Sequence, residues 1–107
     1  RRKKIAQKIE EYLNNTDLYK YPELTSTALA KNLSVPEEEL PTVIKKEMNK
    51  SFYDLINEKR VQRSEELLAI QSHLSMEQVA IQSGFNSSQA LQRAMKKYRG
   101  KVSVMGG

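Results

Sequence analysis

"LSMEQVAIQSGFNSSQALQRAMKKYRG", residues 74–100, decides how this chain folds, because its first half repeats a stretch met earlier. Shifted by fifty residues, "LTSTALAKNLSV" (24–35) falls on "LSMEQVAIQSGF" (74–85). The shift pairs Leu24 with Leu74, Thr25 with Ser75, Leu29 with Val79, Ala30 with Ala80 and Ser34 with Gly84. Thr25 and Ser75 carry the side-chain oxygen that caps free N–H groups at a helix start, and Gln78 follows Ser75 at the spacing of a capping box. Ala30 and Ala80 are small enough for a second helix to cross closely. Gly84 offers the permissive backbone of a tight turn, a task Ser34 performs less easily. Each copy therefore reads as helix, tight turn, helix: a helix-turn-helix, present twice.

Beyond the turn the correspondence continues with one extra residue in the second copy, so that Leu40, Ile44, Lys45 and Lys46 match Leu91, Met95, Lys96 and Lys97. Between the copies, "SFYDLINEKRVQRSEELLAI" has a capping pattern at Ser51 and Asp54 and apolar Phe52, Leu55, Ile56, Leu67 and Leu68. This predicts one connector helix of about five turns, shared by two units that each have little core of their own. At the other end, Ile5, Ile9, Tyr12 and Leu13 recur at helical spacing until "NNTD" stops the helix. The expected fold is all-α, with two helix-turn-helix subdomains joined by a long connector helix. Its parts are a basic linker and first helix (1–20), the first helix-turn-helix (21–50), the connector (51–71), the second helix-turn-helix (72–100) and a tail (101–107).

Composition agrees with a helical domain and limits its chemistry. At 107 residues, 29% charged and 7% aromatic, the chain suits one soluble domain without room for a separate cofactor domain or lid. No run approaches the roughly 18 apolar residues of a membrane span. The absence of cysteine removes disulfides, thiolate nucleophiles and cysteine zinc sites, and suits a reducing, cytoplasmic compartment. His73, the one histidine, has no acid or nucleophile at metal or triad spacing and is expected in an exposed loop. Asp54 with Glu58 and Glu65 with Glu66 are balanced on the connector by Lys59, Arg60 and Arg63 rather than paired for catalysis. Tyr12, Tyr19 and Tyr21 are read as core and staple residues. No cofactor is implied, and the chain is not read as an enzyme.

Charge is distributed unevenly. The net charge is +5, yet residues 78–107 hold Arg93, Lys96, Lys97, Arg99 and Lys101 without one acid, while residues 24–50 hold four cations against four acids. A polyanion would meet the C-terminal third first. The opening "RRKK" reads as a solvated linker, with a phosphate-binding arm or the flank of a membrane helix as alternatives.

Two helix-turn-helix units around a long helix, carrying "KSFYDLINEKRV" and "LSMEQVAIQSGFNSSQALQRAMKKYRG", closely resemble the DNA-binding domain of the arabinose-regulator (AraC/XylS) family of bacterial transcription regulators. The resemblance spans roughly residues 20–100 and is densest over residues 74–100, in "A...GF.S...L.R..KKY.G". It implies that the second helix of each unit enters the major groove of duplex DNA. It implies also that a sensing or dimerising region lies elsewhere in the protein, and that RNA polymerase is a partner. Past Gly100, "KVSVMGG" departs from the family's Pro-containing ending.

The second unit carries the clearest contact chemistry. Ala90, Leu91, Ala94, Met95 and Tyr98 form an apolar stripe, leaving Ser88, Gln89, Gln92, Arg93 and Lys96 opposite it. Gln pairs bidentately with adenine and Arg with guanine. Ser87 and Ser88 stand where free backbone N–H groups hold phosphate. Lys96, Lys97 and Arg99 add salt-sensitive attraction.

The first unit is less straightforward. Glu37, Glu38 and Glu39 fall where its recognition helix should begin, and Pro41 follows, so the helix is expected to be either delayed or kinked. Carboxylates there can accept from cytosine N4, and acids in a first turn suit the helix dipole by about 0.3 to 1 kcal/mol each, but three together repel phosphates, and no cation in the stretch before Lys45 offsets them. The expectation is that this unit contributes mainly DNA-backbone contacts, through Lys45, Lys46 and Thr42, and leaves base reading largely to the second. The rival reading keeps the fold but makes it a protein-docking module with weak DNA affinity.

Overall fold

The computed structural model describes residues 1–70 and 73–102, with side chains through Tyr98. Every described regular element is helical: α1 (Arg2–Asn15), a short 3-10 turn (Leu18–Lys20), α2 (Ser26–Leu33), α3 (Glu39–Met48), α4 (Phe52–Ile70), α5 (Met76–Gln82) and α6 (Ser88–Val102). Of the expected parts, Gln71 and Ser72 and the tail residues 103–107 lie outside the described residues, as do the side chains of Arg99, Lys101 and Val102.

The repeat appears as matching hydrogen bonds. Thr25 Oγ1 accepts from the backbone N–H of Ala28 at 3.1 Å, and Ser75 Oγ accepts from that of Gln78 at the same distance. In the second copy Gln78 Oε1 accepts in return from the Ser75 N–H at 2.8 Å, completing the box. At the turns, Val35 N–H donates to Ala30 O at 3.0 Å, and fifty residues later Phe85 N–H donates to Ala80 O at 2.9 Å. Such a bond, reaching back five residues, closes a helix through a left-handed residue. Ser34, at φ 56 and ψ 43, and Gly84, at φ 100, are those residues.

The chain divides into two compact units, residues 1–18 with 23–55, and 19–22 with 56–107. In the first, α1 packs against both α2 and α3 and buries Ile5, Ile9 and Leu13. Leu29, Ala30, Leu33, Leu40, Val43 and Ile44 are buried on α2 and α3. Leu55, in the first turn of α4, is 1% exposed. The second unit is built on Val61, Leu67, Val79, Ala80, Phe85, Leu91, Ala94, Met95 and Tyr98, with Leu68, Leu74, Met76 and Ala90 packed at the edge. Helix α4 thus supplies buried residues to both units, and Ser51 Oγ caps its start by accepting from the Asp54 N–H at 3.0 Å.

Two expectations about the N-terminal third change. The basic run is not a linker: Arg2, Lys3 and Lys4 form the first turn of α1, because the apolar face at Ile5, Ile9 and Leu13 has a partner on α3. Tyr21 is not a core residue but is 57% exposed, since the 19–22 strap is held by its backbone. Arg60 Nε donates to Tyr19 O at 2.6 Å and its Nη2 to Tyr21 O at 2.9 Å. The Arg60 guanidinium therefore fastens a strap in addition to any balancing of charge on α4.

Candidate nucleic-acid interface

Helix α6 presents its two sides as its sequence suggests. Leu91, Ala94, Met95 and Tyr98 are buried against the second unit's core, while Gln89, Gln92, Arg93, Lys96 and Lys97 are exposed. Burial of the first set fixes the rotation of the helix, and that rotation in turn directs the polar side chains outward. Ser87 caps the helix, its Oγ accepting from the Ala90 N–H at 3.1 Å, which leaves the hydroxyl proton able to donate. Ser87 and Ser88 are both half-buried at the helix start. Lys97 lies with Nζ 5.2 Å from the centre of the Tyr98 ring, so the aromatic edge of the core holds this cation near the helix surface. Arg99 is in the helix, and its side chain lies outside the described residues.

Beside this face runs an open groove of about 310 Å³ lined by Asn57, Phe85, Ala90, Arg93, Ala94, Lys97 and Tyr98. Asn57 comes from α4 and was not signalled by the sequence. Its place next to Arg93 and Lys97 depends on how α4 and α6 pack within the second unit, which no local pattern encodes.

On α3, Leu40, Val43 and Ile44 are buried, and Pro41, Thr42, Lys45 and Lys46 are exposed. The helix is delayed rather than kinked. It starts at Glu39 after a turn in which the Glu39 N–H donates to Pro36 O at 3.0 Å, so Pro41 is its third residue. The first turn of any helix has N–H groups with no acceptor inside the helix, so a proline there forfeits no helical bond, and its ring faces a carbonyl, that of Glu37, outside the helix.

The three acids of this turn do not act alike. Arg1 grips Glu39 with two nitrogens, Nε to Oε1 at 3.2 Å and Nη2 to Oε2 at 2.6 Å. Arg2 Nε lies 3.7 Å from Glu47 Oε2 further along α3, and Glu37 Oε1 accepts from the Thr27 hydroxyl at 2.8 Å. No cation in the stretch before Lys45 offsets these acids, as expected; for Glu39 one comes from the start of α1, Arg1, thirty-eight residues away, while Arg2 pairs with Glu47 outside this turn. Glu38 alone of the three has no hydrogen-bond or ion-pair partner among the described residues.

His73 is exposed in a turn, and no cluster of metal-ligating side chains occurs among the described residues. None of the described helices is long and apolar enough to cross a membrane.

Comparison with known proteins adds a family. Residues 29–102 match the model of a helix-turn-helix domain family. Among solved structures, the C-terminal domain of the two-component response regulator yesN from Fusobacterium nucleatum superposes with a TM-score of 0.71. That match covers 90% of this chain and 98% of the other at 23% identity, a likeness of fold. No curated protein matches the chain.

Proposed function

The chain belongs to the AraC/XylS-type helix-turn-helix family of DNA-binding domains from transcription regulators, and on that premise we propose that it recognises a specific duplex sequence, with α6 lying in the major groove. What supports this reading is the exposed set Gln89, Gln92 and Arg93 on a helix whose opposite side is anchored in a core. Side chains held on a rigid helix can meet base edges in register, and each bidentate pair is worth about 1 to 3 kcal/mol of discrimination. Ser87, Ser88, Lys96, Lys97 and Arg99 hold the adjoining phosphates, and Thr42, Lys45 and Lys46 hold those beside the first unit.

In this reading the domain is the output end of a bacterial regulator. A sensing or dimerising region elsewhere in the protein controls it, and RNA polymerase is the machinery it serves in the cytoplasm. The rival docking role rested on an acidic first unit. Pairing of Glu39 and Glu47 with Arg1 and Arg2 reduces that acidity and favours DNA.

A gel-shift titration in salt separates the two. If Lys45, Lys46, Lys96 and Lys97 each meet a phosphate, the logarithm of the binding constant falls against that of salt with a slope of about −3.6. A preferred duplex also keeps a margin over random sequence at every salt concentration. A shallow slope with no margin for any selected duplex would support the docking role instead.

A further inference from the structure

The second helix of the first unit begins with residues whose chemistry differs from that of their counterparts in the second unit. The correspondence between the two second helices, taken one residue past the fifty-residue repeat, sets Glu38 on Gln89, Thr42 on Arg93 and Lys45 on Lys96. Burial supports this alignment. Leu40, Val43 and Ile44 are buried on α3, and their counterparts Leu91, Ala94 and Met95 are buried on α6. The exposed residues of α3 therefore project as their α6 counterparts do, each within its own unit. Glu38 precedes α3 but already has helical dihedrals, φ −71 and ψ −19, so its side chain continues the outward row formed by Thr42 and Lys45.

The neighbours of Glu38 explain why only this acid is available. Glu39 is held by Arg1, and Glu37 by the Thr27 hydroxyl. Glu38 is exposed, forms no cap bond and has no partner among the described residues. Residues at the start of a recognition helix are the ones that reach base edges in the major groove. A carboxylate is an acceptor only, and in that groove the matching donor of a C·G pair is the N4 amino group of cytosine.

We infer that Glu38 reads a cytosine, so that the first unit selects a C·G pair at one position of its half of the binding site. This rests on the DNA-binding reading above. It departs from the expectation that base reading is left largely to the second unit, because Arg1 holds Glu39 and Thr27 holds Glu37, leaving the Glu38 carboxylate in the reading position.

The test is selection of bound sites from randomised duplex by the chain and by its Glu38→Gln and Glu38→Ala variants. Thermal melts of all three serve as a control that the exposed substitution leaves folding intact. The original chain should enrich one C·G pair in the first unit's half-site by at least roughly fivefold over other pairs. Glu38→Gln should move that preference to A·T, Glu38→Ala should abolish it, and the other half-site should not change. If Glu38→Ala keeps every preference and binds all duplexes more tightly, Glu38 is only a source of repulsion and the inference fails while DNA recognition stands. If the original chain enriches no site, both fail together.

Discussion

The turns after α2 and α5 close with the same backbone hydrogen bonds but pivot on different residues. Ser34 sits in the left-handed helical region that small polar residues enter at a cost of about 1 kcal/mol, and its side chain is exposed. Gly84 lies further out, at φ 100, and a Cβ there would stand 2.5 Å from Tyr19 O and 2.9 Å from Arg60 Nε. The reason is the strap. Arg60 draws residues 19–22 down over the second turn, and only a residue without a side chain fits beneath. At the first turn the pivot's side chain is exposed, and a serine is accommodated. Repetition therefore conserved the hydrogen-bond geometry, while tertiary packing decided which residue could provide it.

Exchanging the pivots should expose that difference. Gly84→Ser combines unfavourable backbone with a clash against backbone atoms and should destabilise the second unit by about 3 kcal/mol. Urea unfolding followed by circular dichroism measures the loss, and amide exchange at Phe85 locates it. Ser34→Gly should be nearly neutral, within about 0.5 kcal/mol, because relief of strain offsets the extra freedom glycine has when unfolded. Equal effects from the two substitutions would mean that the strap does not constrain Gly84.

The same contrast shows what could be read from sequence and what could not. The caps at Thr25, Ser51 and Ser75, the connector helix and the apolar stripe of α6 are local patterns, and each was legible because helix periodicity and capping act over a few residues. Likewise, the exposed polar row of α6 followed from its buried stripe. Features set by contacts distant in sequence were not legible. Arg1 and Arg2 look like linker charge until α1 packs on α3 and brings them to Glu39 and Glu47. Arg60 looks like a helix-surface cation until the strap folds over it, and Asn57 gains its place beside Arg93 only through the packing of α4 with α6. Pro41 was ambiguous for a different reason. A proline at the third helical position and one that breaks a helix differ by a shift of two residues in where the helix begins.

The central claim is that the outer face of α6 reads bases while its lysines hold phosphates. The most direct measurement compares Arg93→Ala with Lys97→Ala for binding to the selected duplex and to random duplex at one salt concentration. Arg93→Ala should lower the ratio of specific to random affinity by about 1 to 3 kcal/mol, and Lys97→Ala should weaken both duplexes alike. Equal loss on both duplexes for Arg93→Ala would contradict the account.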